Sequence, residues 1–133
     1  MKEELDDIGS VAKHWLDSSK QNYSTMQNLL YSKDYDWAMF MGHLVIENLL
    51  KALYVKKNST HAVFTHDLLR LATKCDLEIS DQFEEWLDDL TTFNINARYD
   101  SYKQNFRKRC TPEFTKIWTE RIEILKEWLN SQF

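Results

Sequence analysis

Residues 35–57 read YDWAMFMGHLVIENLLKALYVKK, and no other stretch constrains the fold as strongly. Trp37, Ala38, Phe40, Met41, Leu44, Val45, Ile46, Leu49, Leu50, Ala52 and Leu53 cover most of the circumference of a helix running from about 35 to 57. A helix that is apolar on so many sides must be packed on more than one, either wholly within its own bundle or against a partner subunit as well. One stripe interrupts the pattern. His43, Glu47, Lys51 and Tyr54 recur at helical steps and so share a face. Glu47 and Lys51, acid before base, form the favoured i,i+4 pair, worth about 0.3–0.5 kcal/mol on a surface. Inside so apolar a helix a charge is costly unless it is paired or functional.

On both sides of this helix, apolar residues recur at helical spacing. Val11, Trp15, Tyr23, Met26, Leu29 and Leu30 predict a first helix over about 8–32, and Asp34 is the expected N-cap of the second. Beyond the polar connector KKNSTHAVF, a short helix is expected over about 66–75, with Thr65 as its cap and Asp67 in its first turn. Ser80 and Asp81 open a fourth helix carrying Phe83, Trp86, Leu87 and Leu90. In TPEF, Thr111 caps a last helix, Pro112 takes its first position, and the helix runs to about 131. The sum is an all-α, up-and-down bundle of four to five helices in a single domain over 1–133.

Composition agrees with that class. The 133 residues include two glycines and one proline, too few for a turn-rich β architecture. Hydrophobic residues make up 43%, enough to drive collapse. A formal charge of −4 argues against a protein that coats nucleic acid non-specifically, yet leaves room for a local basic cleft. Cys75 and Cys110 lack metal or redox spacing and read as free thiols of a reducing compartment. No signal peptide is visible, and no apolar run is expected to reach the roughly 18 residues that span a bilayer. A soluble cytoplasmic protein, off the membrane, is expected.

Several chemistries find no support. His14, His43, His61 and His66 form no metal-ligand spacing, although His61, His66 and Asp67 fall close together in one connector. There is no phosphate-cradling glycine loop and no nucleophile elbow. Cys110 follows RKR, a setting that lowers a thiol pKa, but nothing marks a base beside it. No metal and no cofactor are therefore expected. The stretch NINARYDSYKQNFRKRC, residues 94–110, stands apart, because Arg98, Lys103, Arg107, Lys108 and Arg109 gather there. Residues 103–109 read most simply as a solvated basic turn. Tyr99 and Tyr102, interleaved with cations, are suited to stacking on bases or to capping the core.

The block SKDYDWAMFMGHLVIENLLKALYVKK resembles the signature second helix of HEPN domains through Tyr35, Trp37, Ala38, Glu47, Lys51, Ala52 and Leu53. THDLLRLA is similar to the family's His-x-Leu-x-x-Leu segment through His66, and NINARYD to its Ala-Arg-Tyr-Pro-Asp element through Ala97, Arg98, Tyr99 and Asp100, without the proline. The resemblance covers nearly the whole chain.

It implies a helical bundle that often dimerises, with a polar cleft near the subunit contact. One branch of the family cleaves RNA without a metal, using an arginine followed after four to six residues by a histidine. The other binds nucleotides or partners a minimal nucleotidyltransferase. Arg98 matches the arginine, but positions 103–105 hold Lys103, Gln104 and Asn105. Metal-free cleavage needs a group that titrates near neutral pH, which lysine ordinarily does not. The resemblance then implies a non-catalytic module that binds nucleotide or RNA phosphate, or a nucleotidyltransferase partner, with Arg98, Tyr99, Lys103, Glu47, Lys51 and His43 as site residues. The alternatives are a metal-independent ribonuclease in which His43 faces the cleft and replaces the missing histidine, and a purely structural homodimer with Arg98 held in internal ion pairs.

Overall fold

A computed structural model describes residues 2–133, with side chains from residue 7 onward. Among the described residues the elements are α1 (Lys2–Tyr31), α2 (Tyr35–Asn58), α3 (Leu68–Lys74), α4 (Asp81–Asn96), α5 (Asp100–Arg109) and α6 (Pro112–Asn130). The architecture is the expected all-α bundle. Its sixth element is α5, where the basic residues 103–109 form a helix rather than a turn. Only Phe106 of that helix is buried, too sparse an apolar signal to show a period. Asp100 at its start and Arg107, Lys108 and Arg109 at its end complement the helix dipole.

α2 is the axis, packing against each of the other five helices. Met39, Ile46, Leu50 and Leu53 of α2 are fully buried beside Met26, Leu68, Leu71, Leu87, Leu90, Phe93, Ile122 and Leu125. Each such side chain contributes roughly 1.5–3 kcal/mol by leaving water. Phe93 is the hub of the far end, with ring centroids 5.1 Å from Phe106 and 4.9 Å from Trp118, which ties α5 and α6 to α4. By length and composition α2 is able to cross a membrane, contrary to the sequence expectation, but 78% of its apolar window is buried inside the bundle. It is the core helix of the fold.

The turns do without glycine. Lys33, at φ 66°, closes α1 as the left-handed residue of a Schellman motif, in which the Asp34 amide donates to Leu29 O at 2.9 Å and the Lys33 amide to Leu30 O at 3.2 Å. Asp76, at φ 55°, closes α3 in the same way. Asp34 occupies the N-cap position of α2, but its carboxylate accepts from the Ser32 hydroxyl at 2.6 Å instead of capping the helix amides. Asp67, not Thr65, caps α3 and accepts from the Arg70 amide. Ser80 and Thr111 cap α4 and α6 through their hydroxyls as expected.

Candidate functional site

The polar stripe of α2 is buried. Glu47 is 3% exposed, and its two carboxylate oxygens divide their partners. Oε2 lies 3.2 Å from Lys51 Nζ, one turn along the helix. Oε1 accepts from His66 Nδ1 at 2.7 Å. His66 arrives from the connector that precedes α3, so a long-range contact completes what the helix alone leaves half satisfied. Trp15 of α1 covers the other end, its ring centroid 4.8 Å from Lys51 Nζ. The i,i+4 pair is thus an internal ion pair, for which charge burial is offset only by good geometry and further hydrogen bonds.

His43 does not face a cleft. Its side chain is fully buried, and Nε2 lies 3.1 Å from the His66 carbonyl oxygen. A carbonyl only accepts, so Nε2 carries the proton and Nδ1 is left buried with no partner among the described residues. Burial holds the His43 pKa below the usual histidine range, against the pull of Glu47 and the hydrogen bond, while the charges of His66 and Arg98 push it further down. A buried, proton-donating ring does not serve as the exposed stand-in for the missing histidine. That expectation is corrected: His43 supports the network from beneath. Glu47 is also committed to Lys51 and His66 rather than to Arg98.

The second group of residues is on the surface. Arg98 follows α4, and its Nε donates to Asn94 O at 2.9 Å, satisfying a carbonyl at the helix end. It makes no ion pair with any acidic side chain among the described residues, so it is not held as the structural alternative requires. Its guanidinium carbon lies 5.6 Å from the Phe40 ring centroid and 5.8 Å from that of Tyr99. Tyr99 is 55% exposed. Lys103 pairs at 3.0 Å with Asp100 on the exposed face of α5. Beside them a cleft of about 180 Å³ is lined by Asp36, Trp37, Ala97, Lys103, Gln104 and Arg107.

The two groups meet along α2. Phe40, under Arg98, lies one turn before His43, and Glu47, under His66, one turn after it. The pattern of the HEPN domain family matches residues 12–132. The chain belongs to the HEPN domain family. Its fold is similar to that of a solved protein, TT1696 from Thermus thermophilus, whose crystal structure superposes with a TM-score of 0.78 over 92% of this chain and 98% of that one at 21% identity. That likeness is one of fold alone. No curated protein matches the chain.

Of the six expected site residues in this HEPN chain, Arg98, Tyr99 and Lys103 share the outer surface, while His43, Glu47 and Lys51 form the buried network. His66 was not among the expected site residues. Its only signal was its place in the family-like THDLLRLA segment, since nothing local links it to Glu47. Cys110 is buried, and desolvation pushes its thiol up to about 12 despite the neighbouring Arg109, which removes it as a nucleophile. Cys75 is likewise raised to about 11 by burial.

Proposed function

We propose that this HEPN chain binds the phosphate groups of RNA or nucleotides on the surface around Arg98. The observation that carries the reading is the state of that guanidinium: Nε is anchored to Asn94 O, no carboxylate among the described residues neutralises it, and it is flanked by two rings. An arginine so held presents its terminal nitrogens as a fork suited to phosphate oxygens. Tyr99 and Trp37 offer exposed faces for a base, and Lys103 and Arg107 extend the positive surface along α5. A local basic strip on an acidic chain favours a docked ligand over non-specific coating.

A second copy of the chain is the expected partner. Trp37 is 42% exposed near the start of the mostly buried α2, and an aromatic left in water there suits a subunit contact. A minimal nucleotidyltransferase is the other partner that the HEPN family suggests.

The test is a titration with labelled single-stranded RNA and with ATP, at low and near-physiological salt, for the wild type and Arg98→Ala. Salt-sensitive binding lost in a folded Arg98→Ala protein supports the reading. Equal binding by both sinks the role of Arg98. If no binding to either ligand occurs, the surface serves a protein partner instead.

A further inference from the structure

On the side of α2 away from the polar network, α1 and α6 leave a cavity between them. It holds about 300 Å³ and is bounded by α1, by Leu49 of α2 and by α6. Leu49 follows Glu47 by two residues, so the two point to opposite sides of the helix. The cavity shares no lining residue with the Glu47 network or with the cleft beside Arg98.

Its walls differ in chemistry. The floor is apolar, made by Leu16 of α1 and the buried Leu49. α6 faces it with a polar stripe, for Thr119, Glu123, Lys126 and Asn130 recur at steps of four, three and four and share one side of that helix. Glu123 shows which side this is, because its Oε1 accepts from the Tyr23 hydroxyl of α1 at 2.6 Å. That bridge ties α1 to α6 beside the cavity, and Lys126 Nζ sits over the same tyrosine ring, 3.6 Å from its centroid.

The charges facing the space are positive and poorly neutralised. Lys20 pairs with no carboxylate among the described residues. Lys126 has a loose contact with Glu123 Oε2 at 4.0 Å. Ser19, 3% exposed, also lines the cavity, but its hydroxyl donates to Val45 O at 2.8 Å and has no hydrogen left to give. Among the lining residues the free donors are therefore the two ammonium groups and the Asn130 carboxamide. An apolar floor with a few convergent polar groups at its rim is the usual make-up of a small-molecule site.

We infer that this cavity binds a medium-chain fatty carboxylate, its chain over Leu16 and Leu49 and its carboxylate met by Lys20, Lys126 and Asn130. Size sets the length: at roughly 30 Å³ per water-sized group the space takes about ten non-hydrogen atoms, which is a carboxylate of about eight carbons and too little for a nucleotide. The chain gains from leaving water, and the two cations select the anion over a neutral head group.

The test titrates sodium octanoate into the full chain, following binding by calorimetry and by the methyl resonances of Leu16 and Leu49. Saturable one-to-one binding is expected, shifting both leucines and leaving the ring signals of Trp37 and Tyr99 unmoved. Butanoate, with four fewer methylenes, is expected to bind on the order of a hundredfold more weakly. Octan-1-ol keeps the chain without the charge, and the double variant Lys20→Met with Lys126→Met keeps the stems without the ammonium groups. Each is expected to weaken binding at least about tenfold. The alcohol comparison uses the wild type alone, so it stands whatever the substitutions do to folding. The inference is overturned if the leucine methyls show no saturable shift up to about 10 mM octanoate. Equal affinity for octan-1-ol also overturns it, as a gap that takes any chain and recognises no anion. So do unsaturable shifts spread over Trp37 and Tyr99, the mark of detergent-like adsorption. None of these outcomes bears on the Arg98 reading.

Discussion

His66 Nδ1 and Glu47 Oε1 lie 2.7 Å apart, joining an exposed ring on a connector to a carboxylate sealed inside the central helix. The two residues are 19 positions apart in the chain. The contact makes the ordinary-looking pair of Glu47 and Lys51 part of a larger network. It also decides which histidine of the site is accessible.

The buried pair sets a stability prediction. Lys51→Met removes the ammonium from a carboxylate that stays buried, and is expected to destabilise the protein by about 3 kcal/mol. The double variant Lys51→Met with Glu47→Gln removes both charges and should recover part of that loss. Urea unfolding of the wild type, the two single variants and the double variant gives the coupling directly.

His43 makes folding sensitive to acid. Burial lowers its folded pKa below 6.5, so the unfolded chain binds the proton more readily than the native one. Stability then rises with pH through that window and falls as pH drops below about 6.5, since the unfolded state holds more protons there. His43→Gln should flatten this part of the curve. Melting temperatures between pH 7.5 and 5 for the two proteins check it, and equal slopes would refute it.

Gly42 of α2 faces Ile122 of α6. A Cβ there would run into the Ile122 side chain, which is itself fully buried, with Met26 Sδ close behind. Gly42→Ala is therefore expected to destabilise by about 1–3 kcal/mol through overpacking, even though alanine is the better helix former. A partner change, Ile122→Val with Gly42→Ala, should restore part of the loss in the same unfolding assay.

The two thiols are expected to be inert in the native state. Burial raises Cys75 to about 11 and Cys110 to about 12, so the reactive thiolate is scarce near neutral pH. Alkylation followed by mass spectrometry should show both modified in denaturant and neither at pH 7.5 in buffer. Rapid modification of Cys110 under native conditions would contradict this.

Residues 35–57 were enough to announce a helical bundle, because a helix that is apolar around most of its girth has few other places to be. The caps at Ser80 and Thr111 were equally legible, since a hydroxyl capping its own helix is a local event. The turns at Lys33 and Asp76 were less so. Neither is the glycine that usually marks a left-handed position, and their motifs depend on how the helices close on either side. α5 was hidden for a similar reason: Phe106 alone anchors it, against Phe93 of another helix.

Within the site, the order of residues along the chain was sufficient for the helical class, the shared face of His43, Glu47 and Lys51, and the HEPN-like placing of Arg98. Helical spacing is local, and it survives without knowledge of the rest of the chain. Folding in three dimensions settled the rest: His43 points inward, His66 holds Glu47 from outside, and Arg98 has rings rather than carboxylates around it. Those outcomes depend on which side of α2 is covered by the connector before α3 and by the end of α4. Contacts between distant segments are fixed by packing of the whole bundle, and no periodicity within one helix encodes them.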